Sequence, residues 1–325
     1  MSKFALVSIV TPSYNQAPFL EQTILSVLTQ DYPNIEYIII DGGSTDGSVG
    51  VIRKYEDRVA YWVSEPDKGQ ADAINKGWAR CTGDIVAFLN SDDYYVADAI
   101  KTVADVFHAH PNVDVVYGQG IWVSENGIPQ QQTNIHINAQ QMLDGLLSVP
   151  QPAAFVRRRV IDQIGLLDTG LHFGLDKEFY LRAIANFEAL SLDVPLACMR
   201  LHAGSKSVSS ATKFAPEMLR IAQKVIDHPE MYPRCTVRPR AVLAGGYIAA
   251  AKFLYMDGAF KEARKYLLRA ALISNAYRRS ILLQEFPRLV VRRVFGKGFY
   301  TQTSSALRNF QRMVGNGSTG WTSFG

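Results

Sequence analysis

Two adjacent carboxylates, Asp92 and Asp93, close the segment DIVAFLNSDD, in which an apolar run of strand length leads into a polar turn. Carboxylates at a strand end suit a hard cation, because Mg2+ and Mn2+ prefer oxygen ligands and usually bind one or two protein carboxylates together with substrate phosphates. The pair also fits an ordinary turn, since Asp hydrogen-bonds its own backbone there. The segment therefore predicts a metal site beside a phosphate or an Asp-rich turn, and both interpretations stay open at this point.

Three other predicted strands also end in polar sets: TPSYN at 11–15, DGGSTDGS at 41–48 and EPDKG at 65–69. In an open α/β sheet, ligands bind outside the carboxyl ends of the strands, so four polar strand ends favour the ligand-binding interpretation. DGGSTDGS lacks the GxGxxG spacing, and the chain has no GxxxxGK[ST] motif, so neither a nicotinamide cofactor nor ATP hydrolysis is favoured.

The elements that must position these residues alternate between strand and helix up to about residue 120, which predicts a mostly parallel sheet covered by helices. The predicted strands are apolar throughout, as expected for strands buried on both faces. They are Val7–Val10, Tyr37–Ile40, Val59–Val63, Ile85–Leu89 and Val113–Tyr117. Helices are predicted in APFLEQTILSVLTQ, over Gln70–Arg80 and over Ala97–His110.

After residue 120 the predicted secondary structure changes twice along the chain. Residues 120–205 mix short strands, one near Ala153–Val156, with a helix around Asp176–Ala185. Beyond Ser205, Ala241–Leu254 and Phe260–Ile273 predict two antiparallel helices, either a tetratricopeptide-type hairpin or a helical subdomain packed on the core. The Gly/Ser-rich end, GNGSTGWTSFG, predicts disorder.

Composition narrows the class of protein. The 325 residues are 47% hydrophobic and 20% charged, an ordinary globular composition, and a net charge of +4 does not favour nucleic acid as a partner. Three cysteines without CxxC spacing indicate a reducing compartment and argue against zinc. We find no signal peptide and no run of about 18 apolar residues, so we expect a cytoplasmic protein. The basic stretch Arg278–Arg293 predicts a peripheral contact with the cytoplasmic membrane face, or a helix packed on the enzyme.

Seven motifs, in order and spacing, resemble those of the family 2 glycosyltransferases, an inverting group with the GT-A fold. They are VSIVTPSYNQ (7–16), IIIDGGSTDGS (38–48), SEPDKGQADAINKG (64–77), GDIVAFLNSDD (83–93), QPAAFVRR (151–158), LDKEFYLR (175–182) and RLHAGSKS (200–207). The resemblance implies an α/β GT-A catalytic domain over 1–207, with a Rossmann-like mostly parallel sheet flanked by helices. We expect a C-terminal α-helical region over 208–310, associated with membrane or acceptor, and a flexible tail over 311–325.

The resemblance also implies a nucleotide site, built from Thr11, Pro12, Tyr14, Asp41, Asp67, Lys68, Asp72 and Asp92, with Glu65 beside them. The first three would surround the base, and Asp41 would accept a hydrogen bond from it. Lys68 would offset diphosphate charge, or it is a solvated turn lysine. Asp72 and Asn75 are alternatively local helix-capping groups.

The metal and catalytic residues follow from the same resemblance. Asn90 stands where many members carry an acid, so Asp93 is expected to bind Mn2+ or Mg2+ directly, with Asp92 on the ribose or a metal-bound water. His202 is a further metal or diphosphate candidate, or a packed histidine. Inverting transfer needs one general base, for which Asp176 is the candidate, although Leu175 replaces the usual Glu and an N-cap role is the alternative.

The remaining expectations concern the sugar, the acceptor and the activity itself. Glu178 is the reserve base and a candidate for the acceptor or sugar side, with Arg182 one turn on as its partner. Gln151 and Pro152 are also placed on the donor-sugar or acceptor side. The expected activity is metal-dependent, inverting transfer from a nucleotide-diphosphate sugar to a glycan or lipid-linked acceptor, in cell-surface polysaccharide synthesis. The alternatives are a sugar nucleotidyltransferase and a non-catalytic sugar-nucleotide-binding scaffold.

Overall fold

The computed structural model describes residues 5–133 and 136–274. The predicted basic stretch Arg278–Arg293 and the predicted disordered tail therefore lie outside the described residues. The described strands are β1 (Val7–Ser13), β2 (Ile35–Asp41), β3 (Tyr61–Ser64), β4 (Ile85–Phe88), β5 (Tyr94–Tyr95), β6 (Val115–Ser124), β7 (Pro129–Gln132), β8 (Ala154–Arg157) and β9 (Ala189–Leu201).

These strands form a single sheet in the order β3-β2-β1-β4-β8-β6-β9-β5, with β7 paired to β6. The strands β3, β2, β1 and β4 are parallel neighbours, and Ser13, Asp41 and Ser64 stand side by side in their register. The polar strand ends therefore meet at one edge, as the sequence predicts. β8 runs antiparallel between β4 and β6, an insertion that local periodicity could not reveal.

The described α-helices cover both faces of the sheet and extend beyond it. They are α1 (Ala17–Leu28), α2 (Ser48–Arg53), α3 (Gln70–Trp78), α4 (Ala99–Ala109), α5 (Ala139–Gly145), α6 (Arg158–Ile164), α7 (Leu175–Asn186), α8 (Lys206–Ser209), α9 (Ala211–Asp227), α10 (Pro239–Met256) and α11 (Phe260–Ile273). Short 3-10 turns occupy Glu56–Arg58, Gln151–Ala153 and Pro229–Met231.

The two faces of the sheet bury different sets of side chains. On β1, Val7 and Ile9 pack with α1 and α4 on one face, whereas Val10 packs on the other. The alternation follows from the two-residue side-chain period of a strand. This α/β arrangement, with a parallel core flanked by helices, confirms the predicted fold class.

The second face continues into the C-terminal helices without interruption. A single cluster of buried side chains runs from Trp78 and Phe179 to Met218 on α9 and Ala250 on α10. α10 approaches α5 closely, because a Cβ added at Gly245 would lie 2.1 Å from the Asp144 carbonyl oxygen. The predicted division after residue 207 stays a prediction, while the helical region shares its core with the sheet.

No helix within 5–133 and 136–274 combines the length and the apolar character needed to cross a membrane.

Candidate functional site

Asp41 forms the floor of the polar edge at the end of β2. Its side chain is fully buried, and its carboxylate accepts hydrogen bonds from Ser13 Oγ (3.0 Å), Ser44 Oγ (2.6 Å) and Ser64 Oγ (2.7 Å). The backbone N–H groups of Gly43 and Ser44 donate two more. Asp41 thus organises three neighbouring strand ends, and the predicted hydrogen bond to a base stays a prediction.

The loops after β1 and β2 interlock to form the wall expected to hold the base. Asn15 N–H donates to Ser44 Oγ (2.8 Å), and Thr45 N–H donates to Asn15 Oδ1 (2.9 Å). Asp46 accepts from Ala17 N–H at 2.8 Å and so satisfies the first turn of α1. Hydrogen bonds within the protein therefore join the two loops to each other and to α1.

The three residues predicted around the base take different places on this wall. Thr11 is buried, with its hydroxyl 3.0 Å from Tyr37 Oη, and Pro12 is buried beside it in β1. Tyr14 is 63% exposed at the rim. Tyr14 is therefore the one of the three whose ring is open to a ligand.

Asp67, Lys68 and Asp72 form the turn that leads into α3. Asp67 Oδ1 accepts from Gly69 N–H at 2.7 Å, and its other oxygen lies 2.6 Å from where a Gly42 Cβ would stand. Asp72 accepts from Lys68 N–H at 3.0 Å, which is the local capping role considered for it. Asn75 bonds the backbone of Leu167 through both of its amide atoms, so it ties α3 to the segment before α7.

Asp92 and Asp93 follow β4 and point in different directions. Asp92 Oδ2 lies 3.0 Å from His202 Nε2, and the His202 ring packs 4.4 Å from that of Phe19. Asp93 is buried, where Oδ1 accepts from Arg200 N–H at 3.0 Å and Oδ2 accepts from Asn90 Nδ2 at 3.3 Å. Asp92 is thus the more accessible carboxylate of the pair.

The chemistry of this donor set fits a divalent cation. Burial, and then the neighbouring charge of Asp92, raise the pKa of Asp93 well above its ordinary value. A cation beside two such carboxylates relieves their repulsion. No group of three or more His, Cys, Asp or Glu side chains in the described part of the chain is arranged to hold a metal. The cation would therefore share its coordination between these side chains and substrate phosphates, as Mg2+ commonly does.

A chain of side-chain amides runs beneath the carboxylates. Lys206 Nζ donates to Gln70 Oε1 (2.7 Å), and Gln70 Nε2 donates to Asn90 Oδ1 (2.6 Å). Asn90 Nδ2 donates to Gln151 Oε1 (2.9 Å), and Gln151 Nε2 donates to the Phe88 carbonyl (2.7 Å). Gln151 is buried and holds the end of β4 together with Asn90, which explains an amide where an acid was expected.

Asp176 lies in the first turn of α7, one residue after the helix begins. Burial raises the pKa of the Asp176 carboxyl, while the charges of Lys177 and Lys206 oppose that shift. The N-cap position is Gly174, so Asp176 does not cap the helix. A carboxyl with a raised pKa is suited to accept a proton.

Lys206 connects these groups electrostatically. Burial lowers the pKa of Lys206, and the carboxylates of Glu217, Asp176, Asp92 and Asp67 counteract this. Lys206 therefore lies within the field of carboxylates from three separate motifs. The charges of Asp67, Asp92 and Asp176 each interact with the Lys206 ammonium group.

Glu178 does not join this cluster. It is completely buried, and its carboxylate accepts from Arg182 Nε (2.7 Å) and Nη2 (2.9 Å) and pairs with Lys224 Nζ (2.9 Å). The predicted pairing with Arg182 is present, and it occupies Glu178 in a structural role.

Three further residues of the site carried little sequence signal. Arg200 is buried and donates to the Asp92 carbonyl (3.1 Å), and its guanidinium faces the rings of Phe19 and Tyr94. Lys206 and Arg200 both stand in RLHAGSKS, where only His202 was singled out. Glu217 lies outside all seven motifs and no sequence pattern could have found it.

Comparisons of sequence match this chain to one family of enzymes. The family model described as Glycosyl transferase family 2 matches residues 8–165. An uncharacterized glycosyltransferase of Mycobacterium tuberculosis is 33% identical over 194 residues, which cover 59% of this chain and 74% of the relative. A putative teichuronic acid biosynthesis glycosyltransferase of Bacillus subtilis is 42% identical over 99 residues, covering 30% of this chain and 39% of the relative.

Comparisons of structure agree on the fold. Residues 1–349 of S. aureus TarS have a TM-score of 0.60 at 19% identity, covering 94% of this chain and 92% of that chain. A mannosyltransferase from Pyrobaculum calidifontis, solved with GDP-Man and Mn2+, has a TM-score of 0.58 at 18% identity, covering 91% and 89%. The predicted GT-A fold is therefore confirmed.

Proposed function

The chain belongs to glycosyl transferase family 2 and is a glycosyltransferase, and we propose that it moves a sugar, with inversion, from a nucleoside-diphosphate donor to a hydroxyl of a glycan or lipid-linked acceptor. The observation that carries this proposal is the hydrogen-bonded chain from Lys206 through Gln70 to Asn90 and Asp93, with Asp92 beside His202. A donor diphosphate and its cation need these charges in one cleft. The prediction of a transferase is confirmed, and the nucleotidyltransferase and scaffold alternatives are no longer favoured.

The donor would lie along the carboxyl ends of β1, β2 and β4. Tyr14 at the rim would contact the base, and Asp67 would lie on the ribose and phosphate side. Asp92 and Asp93 would hold Mn2+ or Mg2+ together with the donor phosphates, and His202 would act through its bond to Asp92. When bound, the cation would supply charge stabilisation to the departing nucleoside diphosphate. Lys206 would add a second positive charge on the same side.

The acceptor hydroxyl would lose its proton to Asp176 as its oxygen attacks the anomeric carbon and the bond to the diphosphate breaks. The raised pKa of the Asp176 carboxyl favours this step, because a base is most effective when its pKa lies near the working pH. Gln151 supports the floor below through Asn90 and the end of β4.

Similar proteins support the proposed class of donor and the proposed role in polysaccharide synthesis. Solved neighbours were crystallised with UDP-GlcNAc and with GDP-Man and Mn2+, so both bind nucleoside-diphosphate sugars. The relative named for teichuronic acid biosynthesis supports a role in cell-surface polysaccharide synthesis. We extend these properties to this chain as part of the proposal, together with a cytoplasmic location.

Incubation with UDP-, GDP- and dTDP-sugars in Mn2+, Mg2+ or EDTA tests the proposal. We expect transfer or slow donor hydrolysis with one donor, lost in EDTA and in Asp92→Asn and Asp93→Asn. The exposed Asp162→Asn on α6 is the matched control and should behave as the wild type. Equal rates in EDTA, or in both site variants, would contradict the metal assignment.

The outer face of α11 supports a peripheral membrane contact. Leu268 is 43% and Leu272 is 77% exposed, and they share a helix face with Lys261 and Lys265. No acidic residue stands between Glu262 and Glu285, while five basic residues do. Exposed leucines beside lysines are the pattern of helices that lie on anionic lipid.

A further inference from the structure

Glu217 on α9 accepts three backbone hydrogen bonds from the segment that leads into α7. The N–H of His172 donates to Oε1, and the N–H groups of Phe173 and Gly174 donate to Oε2, each at 2.8 Å. Glu217 is 6% exposed. A buried carboxylate that meets three convergent N–H groups forms charge-assisted hydrogen bonds, which are the stronger kind.

The same face of α9 holds two more points of this segment. Arg220 donates to the Gly170 carbonyl at 3.0 Å, and Lys224 pairs with both Asp168 and Glu178 at 2.9 Å. Residues 217, 220 and 224 follow the helical spacing that places side chains on one face. α9 therefore bonds the segment from Asp168 to Gly174 at several points between its two ends.

Packing between the two elements leaves no spare room at Gly174. A Cβ added there would lie 2.8 Å from Ile221 Cδ1 and 2.9 Å from Met218 Cε, so the backbone itself rests against α9. Gly174 is the N-cap position of α7, and Asp176 follows two residues later. A shift of this backbone would move the first turn of α7 and Asp176 with it.

The segment from Asp168 to Gly174 is also bonded to α3, through Lys206. Lys206 Nζ donates to the His172 carbonyl at 3.1 Å and to Gln70 Oε1 at 2.7 Å, so it spans from this segment to α3. The His172 peptide is thus held by Glu217 through its N–H and by Lys206 through its C=O.

We propose that Glu217 is a positioning residue, which fixes the backbone of residues 172–174 and thereby sets where Asp176 stands relative to Lys206. This inference rests on the proposed function for its catalytic consequence. It also makes α9, which lies beyond the matched family region, part of the active-site architecture.

Both the negative charge and the side-chain length of Glu217 are needed for the three backbone hydrogen bonds. A glutamine in its place would turn an NH2 group toward backbone N–H donors and lose part of the three bonds. Glu217→Gln should therefore weaken the hydrogen bonds to the N–H groups of residues 172–174, and Glu217→Ala should remove them. The exposed Glu230→Gln, in the turn after α9, is the matched control.

Two measurements on the full chain test the proposal. Hydrogen–deuterium exchange should show the amides of residues 172–174 exchanging about tenfold faster in Glu217→Gln, and faster still in Glu217→Ala. Steady-state kinetics should show kcat falling on the order of 100-fold in Glu217→Ala, because small misplacements of catalytic groups have such effects. The Kd of the nucleoside diphosphate should stay unchanged, a split that general destabilisation would not produce.

Unchanged exchange at residues 172–174 in both variants would overturn the proposal, as would faster exchange with an unaltered kcat. Should Glu217→Ala fail to fold, Glu217→Gln alone decides between these outcomes. If the wild type transfers no sugar, the proposed function fails, while the exchange comparison, extended to the first turn of α7, still decides whether Glu217 holds this backbone.

Discussion

Asp41 and Asp92 have the same type of side chain at nearby strand ends, but their surroundings differ. Asp41 has no exposed surface and accepts five hydrogen bonds, three from the loop after β2 and two from the ends of β1 and β3, so its charge is satisfied by the fold. Asp92 keeps part of its carboxylate open beside His202. A buried carboxylate with all its hydrogen bonds made, such as Asp41, stabilises the fold. A partly exposed carboxylate, such as Asp92, stays available to a ligand.

Asp176 provides a prediction about pH. Its pKa is raised above the ordinary value of 3.8, and a base must be deprotonated to act, so transfer should fall as the pH drops through this raised pKa. The acid limb of kcat against pH is therefore expected above 3.8. Asp176→Asn should lower kcat by about 10²–10⁴-fold and leave donor affinity unchanged.

The pH profile of kcat and the calorimetric Kd of the donor check both statements. Asp162→Asn, an exposed carboxylate change, should alter neither. A full kcat in Asp176→Asn would move the base to another residue.

Helix α7 joins chemistry and stability within one element. Its first turn carries Asp176 and Glu178, and Glu178 forms a buried pair with Arg182 one turn later, with side chains 0% and 4% exposed. Arg182 also donates to the carbonyl oxygens of Ile164 and Leu166. The helix is thus anchored by a charge pair that the i,i+4 spacing predicts, while its apolar residues supply the packing.

We expect Arg182→Met to lower the free energy of unfolding by about 3–5 kcal/mol, because it leaves the Glu178 carboxylate buried with Lys224 as its remaining cation. Urea denaturation measures this difference. Lys54→Met, which removes a pair with exposed side chains, should change stability by less than about 1 kcal/mol. Equal effects of the two substitutions would show that the buried pair is not the anchor of α7.

At the scale of the whole molecule, the C-terminal helices have an inner and an outer face. Their inner face shares one buried cluster with the sheet, and α9 reaches the active-site segment through Glu217. Their outer face presents leucines and lysines of α11. The inner face is packed into the core of the sheet, and among the described residues the outer face of α11 keeps Leu268 and Leu272 exposed.

Leu268→Gln with Leu272→Gln should weaken sedimentation of the full chain with anionic vesicles severalfold, because both apolar contacts are lost. Vesicles of neutral lipid should retain less of the wild type than anionic ones do, since the lysines of this face add charge attraction. Leu166→Gln, a leucine 45% exposed elsewhere, is the control. Equal sedimentation of the double variant and the wild type would remove the membrane contact.

Much of this protein follows from local pattern. The strands that carry TPSYN and NSDD, the helix that begins near Asp176, and the α10–α11 pair are all where periodicity and turn residues predict them. Strand and helix periods depend on neighbours a few residues away, so the sequence contains them directly. The proposed metal and nucleotide chemistry likewise rests on residue type at strand ends.

Other features depend on contacts between distant residues, which no local pattern encodes. Glu217 meets the N–H of Gly174 across 43 positions, and the antiparallel β8 enters the sheet between β4 and β6. Tertiary packing also buried Asp41 and Glu178 and left Asp92 open. Sequence alone therefore determined the family, the fold class and the candidate carboxylates, whereas burial and long-range hydrogen bonding decided which of them are buried and fully paired and which stay accessible.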